Sequence, residues 1–352
     1  MSYLNEWFEL RPATIMDADQ ILRIYESEEF DGNISVIYTR RPNPYLSFQK
    51  EGEQVFLLLL CDHRADLICG VGSCVIRKAY IRGEVKATGY LNGLKLLPQY
   101  RKKVPYIAEA YHYMYEQTKD LVDCYYTTIL TENIPAQRLL EKKRKNMPAY
   151  NFKSIYNVYC LASGNHTLQK NYSLECGNTE SLEVFYKKNA VKWSLFPADF
   201  TMSAFPRDSI YTLRDKSGNI QAACVLWNQL AHKQYIVSNY KGIYKFLKWF
   251  PLKWFGYPNL PKIGQIANYA SYHMLCVKND NIDLAQYFIK KIAEKEKDYD
   301  FLMIGLFENH YLVKCLQKIK HIKYQSKFYE VNWDNAPIEL EIENLYLDVG
   351  LL

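Results

Sequence analysis

Apolar residues along the chain fall into short runs and one-sided stripes, and no uninterrupted stretch approaches the length of a membrane span. FELRP reads as a strand ending at Arg11-Pro12. After Thr14, the residues Ala18, Ile21, Leu22 and Tyr25 share one helical face, with Thr14 and Asp17 at capping-box spacing. Residues 31–50 are mixed and loop-rich, with a second helix or turn expected before the next strand. Val55 to Cys61 is a continuous apolar run of strand length, Asp62 to Asp66 a turn, and Leu67 to Ile76 the returning strand. A third strand covers Lys86 to Leu97 and stops at Pro98. Beyond a basic loop, Ile107, Tyr111, Met114, Tyr115 and Thr118 trace a helical stripe. A strand from Cys124 to Leu130, a helix bearing Ala136, Leu139 and Leu140, and two short strands between Phe152 and Leu161 complete the unit.

The second half repeats the later part of this order. Ile210 to Leu213 and Ile220 to Trp227 form a hairpin around Lys216-Ser217-Gly218-Asn219. Tyr272 to Val277 stands where Lys86 to Leu97 stood. Leu284, Tyr287, Phe288 and Ile292 mark the next helix, and Phe301 to Phe307 the next strand. Glu308-Asn309 then repeats Glu132-Asn133, before a helix with Leu312 and Leu316 and a final strand from Lys323 to Val331. The pattern predicts an α/β protein made of a tandem repeat. Its units are residues 1–162 and 176–334, with a linker at 163–175, an aromatic and basic insertion at 232–268, and a tail at 335–352.

Composition narrows the function. With 352 residues, 49% of them hydrophobic and 23% charged, the chain can bury two cores. A net charge of +6 is too mild to imply a polyanion, so no nucleic-acid partner is expected. Nine cysteines without a Cys-x-x-Cys pair read as free thiols of a reducing compartment. The N-terminus shows no basic region followed by an apolar one, so the expected location is the cytoplasm. Histidines are not paired at i and i+4 and lack cysteine partners at zinc spacing, which gives no support to a metal site. Gly70-Val71-Gly72 lies inside an apolar strand without a third glycine, and no Gly-x-Ser-x-Gly turn is present.

The candidate chemistry lies between the third strand and the helix after it, where Arg101-Lys102-Lys103 precede a helix start. Backbone amides, the helix dipole and positive side chains at such a place favour a phosphate or pyrophosphate. Leu94-Lys95-Leu96-Leu97-Pro98-Gln99-Tyr100-Arg101, Lys102-Lys103-Val104-Pro105-Tyr106, and Asn133-Ile134-Pro135-Ala136 followed by Leu139-Leu140 resemble the GNAT superfamily of acyl-CoA N-acyltransferases. The resemblance covers residues 1–162 and, more weakly, 200–333, and is narrowest to a bacterial group of double-GNAT proteins.

What the resemblance implies is two tandem units, each a mixed, mostly antiparallel sheet flanked by helices. The chemistry implied is transfer of an acyl group, most simply acetyl, from acetyl-CoA to a small-molecule or peptide amine by direct attack. Leu94, Leu96, Arg101, Lys102, Lys103, Val104, Tyr106 and Asn133 would bind coenzyme A, with Glu132 as base and Tyr126 as acid. The chain departs from the family at three points. Val104 and Tyr106 replace glycines, Pro105 has no amide hydrogen, and Leu140 replaces the tyrosine that protonates the thiolate. In the second half Lys278-Asn279-Asp280-Asn281 carries neither glycine nor arginine, so that copy is expected to have lost the cofactor. Two other functions fit the same residues: a binding module of this fold without activity, and an aminoacyl transferase of the tandem type. The segment 240–262 mixes lysines with large aromatics and could lie on a membrane surface or pack between the halves. Pro251, Pro258 and Pro261 exclude one continuous helix there.

Overall fold

The computed structural model describes residues 2–101, 106–164, 172–200, 202–333 and 340–352. In the first half the elements are β1 (Ser2–Tyr3), β2 (Phe8–Pro12), α1 (Ala18–Glu26), β3 (Ile34–Thr39), α2 (Pro44–Gln49), β4 (Gln54–Asp62) and β5 (Leu67–Ile81). They continue with β6 (Glu84–Leu96), α3 (Ile107–Thr118), β7 (Cys124–Leu130), α4 (Ile134–Leu140) and β8 (Ala149–Leu161). The second half contains β9 (Ser173–Cys176), α5 (Leu182–Asn189), β10 (Ile210–Arg214), β11 (Ile220–Trp227), β12 (Gln234–Tyr240), α6 (Tyr244–Leu247) and β13 (Tyr269–Val277). It ends with α7 (Ile282–Lys295), β14 (Phe301–Phe307), α8 (Val313–Leu316) and β15 (His321–Asn332).

Thirteen strands form one continuous sheet in the order β1-β2-β4-β5-β6-β7-β15-β8-β14-β13-β11-β10-β9. It is mixed and mostly antiparallel; β6–β7 and β13–β14 pair in parallel. Each half's last strand has crossed to the other half. β15 pairs with β7, β8 pairs with β14, and β8 and β15 pair with each other along most of their length. The expected separate units are therefore halves of one sheet. Periodicity marks a strand without naming its partner, which is why the exchange is absent from the sequence reading. The two short strands expected between Phe152 and Leu161 are the single strand β8, and Ile34–Thr39, expected as loop, is β3, paired with β12 in a separate two-stranded sheet.

The apolar run in β4 follows from helices covering both faces of the sheet. Leu57 and Leu59 pack with Ile21, Ile24 and Tyr25 of α1, whereas Leu58 and Leu60 pack with Tyr111 and Met114 of α3. Alternate side chains point to opposite faces, so a strand buried on both sides has no polar phase. The entry to α1 matches the capping expectation, since the Thr14 amide donates to the Asp17 carboxylate at 2.7 Å. Arg11 donates to both oxygens of the same carboxylate, at 2.9 and 2.7 Å. In the second half α7 and α8 cover one face of β11, β13 and β14, and α5 covers the other face of β11 and β13. Among the described residues no helix is long and apolar enough to cross a membrane.

Candidate functional site

The site begins where two parallel strands part. β6 and β7 pair only from Thr88–Cys124 to Tyr90–Tyr126. Beyond Tyr90, β6 stays with β5 as far as Leu96 opposite Gly70, while β7 follows β15 as far as Leu130 opposite Ser326. A bulge at Gly93–Leu94 accompanies the parting, with a register shift between Val71 and Ser73 and a Gly93 φ of +66°. Glycine is required there for space as well as for conformation. A Cβ on Gly93 would lie 2.5 Å from the Tyr25 hydroxyl, which itself donates to the Gly93 carbonyl at 2.9 Å.

The parted strands open into a cavity of about 570 Å³. Leu58, Leu60 and Leu91 of the sheet, Met114 of α3 and Leu140 of α4 give it an apolar wall. On another side β3, β12 and residues 258–261 line it, so both halves of the chain contribute. Apolar groups make up most of its wall, and Glu132, Asn133, Lys95 and Arg40 are among its polar residues. Mostly apolar walls with a small number of placed polar groups are the usual make-up of a small-molecule site.

Leu94, Leu96, Tyr106, Glu132 and Asn133 all line this cavity. Glu132 is exposed, and its Oε2 comes so near Gly32 that a Cβ there would sit 2.8 Å away. Asn133 caps α4, accepting from the Ala136 amide at 3.2 Å. The Tyr106 hydroxyl accepts from the Asn5 side chain at 2.6 Å and keeps its own proton to donate. Arg101 is ion-paired with Glu28 just past α1. Lys102, Lys103 and Val104 lie outside the described residues. Tyr126 is not brought to the cavity. Its ring stacks on Tyr90 at 5.1 Å, it is 2% exposed, and its hydroxyl lies 3.4 Å from Arg77, with burial raising its pKa. A tyrosine two positions from Cys124 on a strand covered on both faces points into the core.

The sequence reading missed the charged frame beside the cavity. Glu51, after α2, pairs with Arg40 at 2.7 Å and with Lys233 at 2.8 Å, all three fully buried. Burial alone would raise the Glu51 carboxyl, but Arg40, Lys233 and Arg77 outweigh it and hold it at about 2. Burial pulls Lys233 down to about 8 against the pull of Glu51. The frame also reaches the last residues: Lys233 donates to the Leu352 oxygen at 2.5 Å, and Arg77 to the Leu351 carbonyl at 2.7 Å. Lys95 is likewise lowered by burial to about 8, and donates to the Tyr25 carbonyl at 2.7 Å.

The second half contains the same parting in a closed form. β13 and β14 pair from Tyr269–Phe301 to Ser271–Met303 and then separate. Met274 stands three residues past the last pair, as Gly93 does, and it too has positive φ, +53°. Here the gap is filled by residues 345–349. The Met274 amide donates to Asp348 Oδ1 at 3.0 Å and the Leu275 amide to the Tyr346 hydroxyl at 2.9 Å. Where the first half has its basic loop, Asp280 is ion-paired with Lys192. His310 follows β14 buried against Trp193, and burial lowers it to about 3.

No family model matches the chain, and no curated protein matches it by sequence. Its fold matches several solved structures. One is the GCN5-related glucosamine N-acetyltransferase region of a fungal multi-domain β-N-acetylglucosaminidase, with a TM-score of 0.66 at 11% identity over 94% of this chain. This chain spans 38% of that protein. Saccharomyces cerevisiae N-myristoyltransferase with bound myristoyl-CoA matches with a TM-score of 0.59 at 10% identity, over 94% of this chain and 85% of that one. A putative acetyltransferase from Pyrococcus horikoshii matches with a TM-score of 0.51 at 12% identity, over 97% and 94%. The chain therefore has the fold of the GNAT-type acyltransferases.

Proposed function

We propose that the chain is an acyl-CoA-dependent N-acyltransferase whose first half holds the thioester, with an acyl group much longer than acetyl. The observation that carries this reading is the parting of β6 and β7 at the Gly93–Leu94 bulge into a cavity of about 570 Å³. That volume lies within the usual span for drug-sized ligands, roughly 300–1,000 Å³, whereas an acetyl group would leave most of it empty. The closed second half supports the placement. There the amide of Leu275, counterpart of Leu94, already donates to an oxygen. The Leu94 amide would donate in the same way to the thioester carbonyl oxygen as negative charge grows on it.

The amine nitrogen attacks the carbonyl carbon, the carbon–sulfur bond breaks, and the ammonium proton passes to Glu132 at the cavity mouth. Tyr106, with its proton free to donate, is better placed than Tyr126 to protonate the thiolate. Arg101 would exchange Glu28 for a phosphate of coenzyme A. A long acyl donor also agrees with the myristoyl-CoA held by one of the structures of the same fold.

Calorimetric titration with coenzyme A, acetyl-CoA, octanoyl-CoA and myristoyl-CoA tests the reading. Each added methylene should strengthen binding about fourfold, from roughly 0.8 kcal/mol per buried CH₂, until the cavity is full. Equal affinity for acetyl- and myristoyl-CoA would remove the long-chain assignment, and no binding to folded protein would remove the acyl-CoA assignment altogether. Tight binding without turnover on any amine would favour the second reading, a binding module, for which the Glu28-engaged Arg101 is the supporting observation.

A further inference from the structure

We infer that residues 243–257 form a docking surface for an anionic phospholipid bilayer. Six large apolar side chains in this segment stand more than half exposed: Ile243 at 66%, Phe246 at 70%, Trp249 at 80%, Phe250 at 58%, Trp254 at 87% and Phe255 at 59%. Large contiguous exposed apolar patches mark interaction sites, and isolated exposed residues do not make one. This patch is contiguous along a run of tight turns, with Trp249 bonded back to Phe246, Trp254 to Pro251 and Tyr257 to Leu252.

The crown of aromatics rests on a fixed base. Leu252 is buried, and the Lys253 ammonium donates to the Tyr299 carbonyl at 2.7 Å and the Lys297 carbonyl at 3.1 Å. Lys320 donates to the Phe255 carbonyl at 2.9 Å, and the Tyr240 hydroxyl to the Pro261 carbonyl at 2.6 Å. The exposed side chains are therefore presented, as a loop that had merely failed to pack would not present them.

Charge selects the partner. From Lys216 to Asn279 the chain has no aspartate or glutamate, while Lys241, Lys245, Lys248 and Lys253 lie within or beside the aromatic run. Lys241 is neutralised by Asp31 and Lys253 is turned inward, but Lys245 is exposed and Lys248 lies over the Trp249 ring at 5.3 Å. Tryptophan and phenylalanine interleaved with lysine suit a bilayer interface with anionic headgroups, where the rings enter the headgroup boundary and the ammonium groups stay in water. Tyr244, Pro258 and Leu260, in and just beyond the same segment, also line the cavity, so docking would bring the cavity wall to the lipid. The inference does not depend on acyl transfer.

The test is co-sedimentation of the full chain with vesicles of phosphatidylcholine alone or mixed with phosphatidylglycerol, with tryptophan emission followed in parallel. Expected is partition to the mixed vesicles with a blue shift, weakened by salt and at least about tenfold weaker to phosphatidylcholine alone. Trp249→Ser with Trp254→Ser should abolish both signals. Lys245→Glu with Lys248→Glu should remove the preference for the anionic lipid, and Val184→Ser, at an exposed apolar residue elsewhere, should change nothing. Folded wild-type protein that stays in the supernatant with phosphatidylglycerol present would overturn the inference, as would equal sedimentation of the tryptophan variant. A dimer in light scattering that the tryptophan variant dissolves, with no vesicle binding, would assign the patch to a second copy and overturn it too.

Discussion

Two parallel strand pairs part in the same way in the two halves of this chain, and they differ in what occupies the gap. Between β6 and β7 the gap opens into a cavity bordered by a buried ionic frame. Between β13 and β14 it is closed by Tyr346 and Asp348, whose oxygens accept from the amides of Leu275 and Met274. The closed copy shows what such a gap can hold: an oxygen acceptor for the amide after the bulge and apolar matter beside it. Under the proposed function an acyl thioester would supply both to the first half.

If the open half is held apart by charge, its frame should be the most sensitive element. Glu51→Gln leaves Arg40 and Lys233 buried without their common anion, at a cost of about 3–5 kcal/mol. Urea denaturation at neutral pH measures it. A loss below 1 kcal/mol would mean that packing, and not charge, keeps the cavity wall in place.

The closed half should depend on its plug. Tyr346→Phe removes the acceptor of the buried Leu275 amide, and an unsatisfied buried donor costs roughly 1–3 kcal/mol. The same denaturation experiment, repeated with acyl-CoA present, sharpens the contrast. Ligand should stabilise wild type and Tyr346→Phe by equal amounts if it binds the first half, and unequally if the emptied second half also takes it.

His310 gives the closed half a pH signature. Its Nδ1 accepts from the Leu312 amide at 3.3 Å, which requires the neutral ring, and burial lowers it from 6.5 to about 3. Below pH 6.5 the unfolded chain takes up a proton that the folded chain refuses, so stability falls as the pH drops from 6.5 towards 3. At pH 5 the loss should be about 2 kcal/mol, from 1.36 kcal/mol per pKa unit over the interval. His310→Gln should flatten stability between pH 7 and pH 5, and an unchanged slope would place the titration elsewhere. Glu51, held at about 2, contributes stability that is complete above its unfolded value and is lost only as the pH falls towards 2. The His310 effect therefore stands alone above about pH 4.5, and the two overlap below it.

Much of the open half was legible because its signals are local. The apolar run of β4, the stripe on α3 and the Thr14–Asp17 cap each declare themselves within a few residues. So did Leu94, Glu132 and Asn133, which sit where strand ends and helix starts converge. Most of what stayed hidden depends on distant partners. β3 pairs with β12, some two hundred positions on; its β-branched run Ile34–Thr39, bounded by Asp31-Gly32-Asn33 and Pro42-Asn43-Pro44, carries a local strand signal that the loop expectation for 31–50 passed over. Arg40, Glu51 and Lys233 meet only in the fold, and Tyr346 and Asp348 acquire a role only against β13. Tyr126 stands apart from the cavity for the opposite reason: proximity in sequence to Glu132 suggested a shared site, whereas Tyr126 belongs to the last pair before β6 and β7 part, with its ring packed on Tyr90.

The bulge itself offers the finest comparison. Gly93 and Met274 both adopt positive φ, yet only the first is glycine. Met274 carries a side chain into the core of the second half, at 1% exposure, and so offsets its backbone strain. Gly93 has no such room, because Tyr25 approaches its α-carbon. Gly93→Ala should cost about 1–2 kcal/mol from the left-handed backbone alone. It should cost more while the Tyr25 hydroxyl occupies the position 2.5 Å from the new methyl. Tyr25→Phe removes that hydroxyl together with its bond to the Gly93 carbonyl. The double variant should therefore lose less than the sum of the single losses, by an interaction of at least about 0.5 kcal/mol. Strict additivity would show that conformation alone, and not the approach of Tyr25, keeps glycine at the mouth of the open site.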